Sequence, residues 1–158
     1  HLVGGTPHSV SALGASFVQK GIEDVAFLNI RFRGGEIGHV HVSWLDPTKT
    51  RKTIVVGSKK MAVFDEISSR DTLVLIDKGV DINPEFKSFE EFMRLRFGEE
   101  QSITLSSEEP LRLECQHFLD CVKNGDEPLS NGASGLAVLK VLAAAERSLR
   151  SGGKNELL

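Results

Sequence analysis

The chain lacks the features that would assign it most simply. Its 158 residues hold no apolar run long enough to cross a bilayer, and no cationic start followed by an apolar stretch that would mark a secretory leader. A cytoplasmic protein is therefore expected. Positive charge is not in excess. Nineteen Lys and Arg against 22 Asp and Glu leave a net charge of −3, which offers nothing to nucleic acid or to an anionic membrane. No GxGxxG follows a strand, so Gly4-Gly5 is part of a connection, not a nucleotide loop. Cysteine is scarce. Cys115 and Cys121 fall on one expected helix, where a rise of roughly 9 Å and about 240° of rotation place them beyond disulfide reach and on different faces. No Cys/His spacing suits zinc, and no pair of carboxylates reads as a general acid and base.

The informative stretch is Gly34–Arg51, GGEIGHVHVSWLDPTKTR. Val40, Val42 and Trp44 alternate with His39, His41 and Ser43, which sends an apolar stripe to one side of a strand and imidazoles and a hydroxyl to the other. The turn Asp46-Pro47-Thr48 follows, then the cations Lys49 and Arg51. Such a strand could wall a site for an anionic or polyhydroxylated ligand. An ordinary solvent-facing antiparallel strand reads the same way.

The first half of the chain reads as a meander. Ser9–Val18 alternates loosely and Gly21 breaks it. Asp24–Arg33 puts Ala26, Leu28, Ile30 and Phe32 on one face and Phe27, Asn29, Arg31 and Arg33 on the other. Gly34-Gly35 is the turn that would pair it with the next strand, so Asn29 and Arg31 share a face with His39 and His41. Lys52–Gly57, Met61–Asp65, Arg70–Asp77 and Gln101–Leu105 supply further strands. Asp81–Glu100, with Phe86, Phe89, Phe92 and Phe97, reads as an exposed aromatic insertion with a short helical turn around Phe89, Phe92 and Met93.

The second half is helical. Ser106, Ser107, Glu108, Glu109 and Pro110 form a start signal, Leu111, Cys115, Phe118, Leu119 and Val122 a buried stripe, and Asn124-Gly125 a left-handed stop. Ser130 or Asn131 caps a second helix to about Arg150, with Leu136, Leu139, Leu142, Ala143 and Leu149 facing inward. Strands followed by helices indicate a single α+β domain over residues 1–158. Its expected form is an open, predominantly antiparallel sheet of about six to seven strands with two C-terminal helices packed on one face. The decorated face would be free for a ligand, another domain or a second copy, and a homodimer or higher oligomer through it is expected.

Three stretches in this order resemble a known family: GGTPHSVSALG, then RFRGGEIGHVHVSWLDPTKTRKTIVVGSKKMAVFDE, then EEPLRLECQHFLDCVKNGDEPLSNGASGLAVLKVLAAAERSL. They are similar to the C-terminal domain of the Gfo/Idh/MocA oxidoreductases (glucose–fructose oxidoreductase, inositol dehydrogenase, rhizopine catabolism). That domain is of the glyceraldehyde-3-phosphate-dehydrogenase-like type. Ser58-Lys59-Lys60 departs from the pattern by lacking a second glycine, and Asn131 replaces the commoner aspartate.

The resemblance implies a parent enzyme that moves a hydride between NAD or NADP and a sugar, nucleotide sugar or cyclitol, with the cofactor carrying the chemistry. The Rossmann domain, with its nucleotide loop and catalytic lysine, has no counterpart in this chain, which is expected to begin just after the junction helix and to be inactive alone. His1 is assigned no role. On this reading no catalytic residue, cofactor-binding residue or metal ligand lies here, and the partners are the Rossmann domain, a sugar-like small molecule and a second copy. Lys49 and Arg51 match the family's PxKxR and would meet a carboxylate or phosphate. His41 and His39 would bond sugar hydroxyls or face a subunit interface. Trp44 reads as core, and Glu114 as a structural or exposed charge. Two other classes stay open: a stand-alone binding or dimerisation module derived from the family, and a small α+β scaffold with no small ligand.

Overall fold

The structure, a computed structural model, describes residues 2–68, 72–82 and 93–158. The described residues form strands β1 (Pro7–Ala15), β2 (Val25–Phe32), β3 (Ile37–Ser43), β4 (Lys52–Val56), β5 (Met61–Asp65), β6 (Leu73–Ile82) and β7 (Met93–Ile103). Helices α1 (Pro110–Asn124) and α2 (Gly132–Arg150) follow, then the two-residue strand β8 (Glu156–Leu157). The strands pair antiparallel, so the α+β class holds. Neither described helix is long and apolar enough to cross a membrane.

The pairings make two sheets of four strands, in the orders β3-β2-β1-β8 and β4-β5-β6-β7, where one sheet of six to seven strands was expected. The break falls after Ser43. Trp44–Arg51 contributes to no ladder, and Pro47 within it has no N–H to give. The chain accordingly divides into two compact units. One runs to Pro47 and resumes at Glu109; the other is Thr48–Glu108.

In the first unit, the hairpin of β2 and β3 turns at Gly34-Gly35, where Gly35 has φ 96° and Phe32 N–H donates to Glu36 O at 3.0 Å. Only glycine adopts that φ without strain. The register pairs Phe27 with His41, Leu28 with Val40 and Asn29 with His39. β1 adds Val10 opposite Ile30 and Ala12 opposite Leu28. One face of β1 and β2 is therefore apolar, and α2 covers it. Val10 and Ala12 pack against Ala144 and Ala145, with Leu28, Ile30 and Leu149 at the rim. Alanines let the helix backbone approach the strand closely. Ser148 completes the seam: its Oγ accepts Ala12 N–H at 2.8 Å and donates to Lys154 O at 2.5 Å.

Two expected stripes are not buried. Only α2 packs on a strand to any extent, and α1 makes no comparable contact with one among the described residues. Leu111, Phe118, Leu119 and Val122 stay exposed, Cys115 is exposed, and Cys121 is the residue α1 buries. On α2 the alanine–serine end is buried, while Leu136, Leu139, Leu142 and Ala143 are exposed. A helix seated on β1 through small residues buries the turns that overlie that strand and no others. Trp44 is also not core. It is 91% exposed, and Val40 and Val42 of the same expected stripe are exposed too, because α2 sits on β1 and β8 while β3 lies at the far edge of the sheet.

The helix ends follow local chemistry. Gly125 takes φ 75° and its N–H returns to Cys121 O; Asn131 Oδ1 accepts Ser134 N–H at 2.8 Å. At the start of α1 the cap is Glu109 without a side-chain bond, Pro110 follows, and Ser106 Oγ instead accepts the nearby Glu108 N–H at 3.2 Å.

In the second unit, β6 and β7 are longer than expected and pair along most of their length, with an irregularity between Ile76 and Lys78. The expected insertion at Asp81–Glu100 is thus partly strand, and Met93 opens β7. Residues 83–92, with Phe86, Phe89 and Phe92, lie outside the described residues.

Candidate functional site

The face of β1–β3 turned away from α2 is assembled from alternate residues of three strands. Cross-strand rows run Ser11–Asn29–His39 and Leu13–Phe27–His41, with Arg31 one step further along β2. Asn29, Arg31, His39 and His41 are all exposed, as are Leu13, Phe27 and Ile37 beside them. His39 Nδ1 lies 2.9 Å from Asn29 Oδ1. An amide oxygen accepts, so Nδ1 carries a proton, and in the neutral ring Nε2 is then an acceptor. The His41 ring stacks on Phe27 with centroids 4.6 Å apart and planes 13° from parallel. The face therefore offers an aromatic pair, an imidazole acceptor, an amide and a guanidinium. Those groups suit hydroxyls and the C–H face of a polyol. They equally suit the rim of a protein interface.

Lys49 and Arg51 belong to the other compact unit. Lys49 is exposed ahead of β4. Arg51 is already engaged: Nη1 pairs with Glu66 Oε1 at 2.8 Å, and Arg51 O accepts Glu66 N–H at 3.0 Å. Both side chains are about half exposed, so the pair is weak and remains open to an anion. Next to it, Lys52 Nζ lies 3.0 Å from Asp65 Oδ2. That hydrogen bond, helped by the N–H groups of Ile67 and Ser68, holds the Asp65 carboxyl below its ordinary range against the opposing effect of desolvation.

A second concavity lies on α1. It has a volume of about 500 Å³, a floor of Leu111, Phe118 and Leu119, and Glu114 and His117 among its polar lining; Pro128 and Ser130 close one side. Glu114, expected to lie off the helix stripe, thus shares this cleft. A smaller groove of about 150 Å³ runs beside Asp24, Val42 and Trp44. Among the described residues no group of three His, Cys, Asp or Glu is placed to hold a metal ion.

Residues 1–63 match the family model of the GFO/IDH/MocA C-terminal domain. No curated protein matches the chain. Solved structures share the fold across nearly all of it. The UDP-N-acetylglucosamine 3-dehydrogenase GnnA of Acidithiobacillus ferrooxidans superposes with TM-score 0.73 at 16% identity, covering 94% of this chain and 42% of that one. The aldose–aldose oxidoreductase of Caulobacter crescentus, complexed with glycerol, gives 0.71 at 18%, covering 98% and 42%. The WlbA dehydrogenase of Bordetella pertussis, in complex with NADH and UDP-GlcNAcA, gives 0.62 at 21%, covering 96% and 39%. The chain spans about two-fifths of the length of these proteins.

The candidates read from the sequence separate into two places. His39 and His41 stand on one sheet face, whereas Lys49 and Arg51 stand on the other unit. Three participants escaped sequence reasoning. Phe27 was placed on the right face but not as the partner of His41. Glu66 could have been found, because pairing Lys52 with Asp65 sets Arg51 opposite Glu66. His117 left no signal, since its partner is a backbone N–H twelve residues away.

Proposed function

We propose that the chain is the substrate-binding and oligomerisation half of an NAD(P)-dependent oxidoreductase acting on a sugar, nucleotide sugar or cyclitol. The observation that carries this reading is the polar face of β1–β3, exposed and furnished with Asn29, His39 and the Phe27–His41 pair. The GFO/IDH/MocA match over residues 1–63 supports it, as do the sugar-directed names of proteins that share the fold. The nicotinamide is supplied by a Rossmann partner, for which the exposed apolar side chains of α1 and α2 provide a surface. Among the residues of this chain, Lys49 and Arg51 receive a carboxylate or phosphate of the substrate, while His39 and His41 lie on the face that meets hydroxyls or a second copy. The chain alone binds no nicotinamide, and it works in the cytoplasm.

The test is turnover by the full-length product of the gene, followed by nicotinamide absorbance across aldoses, inositols and UDP-sugars with neutral or carboxylated rings. Reduction of NAD or NADP by at least one of them is expected. Arg51→Ala should raise KM for the anionic substrate about tenfold and leave kcat within about twofold, as loss of uniform binding does. No turnover with any of these classes would overturn the proposal.

A further inference from the structure

His117 serves neither the sheet nor its polar face. It is half-buried on α1, and its Nε2 accepts the backbone N–H of Leu129 at 3.1 Å while lying 3.6 Å from Cys121 Sγ. Leu129 belongs to the Gly125–Ser130 connection between the helices, and its neighbours Pro128 and Ser130 form one side of the 500 Å³ cleft. The ends of that connection are held by groups that do not titrate. Gly125 N–H donates to Cys121 O at 2.9 Å, and Asn131 Oδ1 accepts Ser134 N–H at 2.8 Å. Its middle is fastened to α1 through the imidazole.

An imidazole nitrogen accepts only while it carries no proton. Protonated histidine is a donor at both nitrogens, so a proton on Nε2 sets a donor against the Leu129 N–H. We propose that His117 is a proton-operated latch on the α1–α2 connection. With Nε2 bare the latch is closed and Pro128 and Ser130 wall the cleft. With Nε2 protonated the latch opens, and Pro128 and Ser130 are no longer held as one side of the cleft. On its own helix Cys121 Sγ approaches the imidazole, and Glu114 and Cys115 share the cleft lining with it; Asp126 and Glu127 are the titratable residues of the connection. Glu127 is engaged by Asn131 Nδ2 at 2.6 Å, and Asp126 N–H is held by Cys121 O at 3.1 Å. The latch acts on the cleft of this chain and does not depend on the activity proposed above.

The experiment is amide exchange of the whole chain, read by NMR and corrected for intrinsic chemical rates, as the pH is lowered through the range in which imidazoles take up a proton. Leu129 protection should fall about tenfold, the worth of one hydrogen bond of this kind, while Ser134 protection stays level and rules out global unfolding. His117→Gln supplies an acceptor that does not titrate and should make Leu129 protection independent of pH. His117→Phe keeps the bulk without the acceptor and should leave Leu129 unprotected throughout. Wild-type Leu129 protection that stays level through the titration overturns the proposal. That readout decides alone if the Phe variant does not fold.

Discussion

Helix α2 buries Ala144, Ala145 and Ser148 against β1, whereas α1 buries Cys121 and leaves Leu111, Phe118 and Val122 in solvent. Both helices repeat apolar residues at helical spacing, so periodicity does not separate them. What separates them is size at the contact. Alanine and serine let a helix settle onto a strand, where each buried atom meets many neighbours. Leu and Phe on α1 stand off and form the floor of a cleft. Helical periodicity marks which face of a helix is sticky; it does not say whether this chain supplies the surface to cover it.

The contrast can be broken first at its tightest point. Ala144→Leu inserts a bulky side chain into a fully buried position and should destabilise the chain by about 3 kcal/mol, against less than about 0.5 kcal/mol for Leu136→Ala on the exposed part of the same helix. Equal losses in denaturant titrations of the two would erase the distinction. Ser148→Ala should cost about 2 kcal/mol, because it strips a partner from the Ala12 N–H and the Lys154 carbonyl in a buried seam. Hydrogen exchange should show that loss at β1 and at the residues before β8. Asn131→Ala removes the N-cap of α2 and should cost about 1 kcal/mol by thermal melting.

The smallest effect lies outside both helices. Asp65 is depressed by Lys52, so its contribution is present above the ordinary carboxylate range and is lost as the pH falls through its lowered value. Acid-unfolding curves should therefore show a shallower acid limb for Asp65→Asn than for the wild type. Identical limbs would remove Asp65 from the account.

Legibility in the sequence followed the range of the interactions. The faces of β2 and β3, the Gly34-Gly35 turn, the Gly125 stop and a cap at Ser130 or Asn131 were all readable, because each is decided by residues within a few positions; the structure selects Asn131. The division into two sheets was not. It depends on which strand edges meet, and alternation is silent about that. β8 is two residues long and carries no pattern, yet it pairs with Ser9 and Val10. Ser148 carried no sequence signal, because its partner Ala12 lies 136 positions away. Trp44 failed with Val40 and Val42 for one cause: alternation marks an apolar face but not whether the covering helix reaches the edge strand that carries it. Among the candidate site residues the histidines were placed on the correct face. The ion pair that engages Arg51 needed the register of β4 and β5.

Under the proposed function the polar face of β1–β3, and not the apolar floor on α1, is the surface that would meet another copy. Sedimentation equilibrium of the wild type, Phe27→Asp and Phe118→Ser tests it most directly. Association by the wild type and by Phe118→Ser, with Phe27→Asp monomeric, is the predicted result. A wild type that stays monomeric at high concentration, or association abolished by Phe118→Ser and kept by Phe27→Asp, would contradict it.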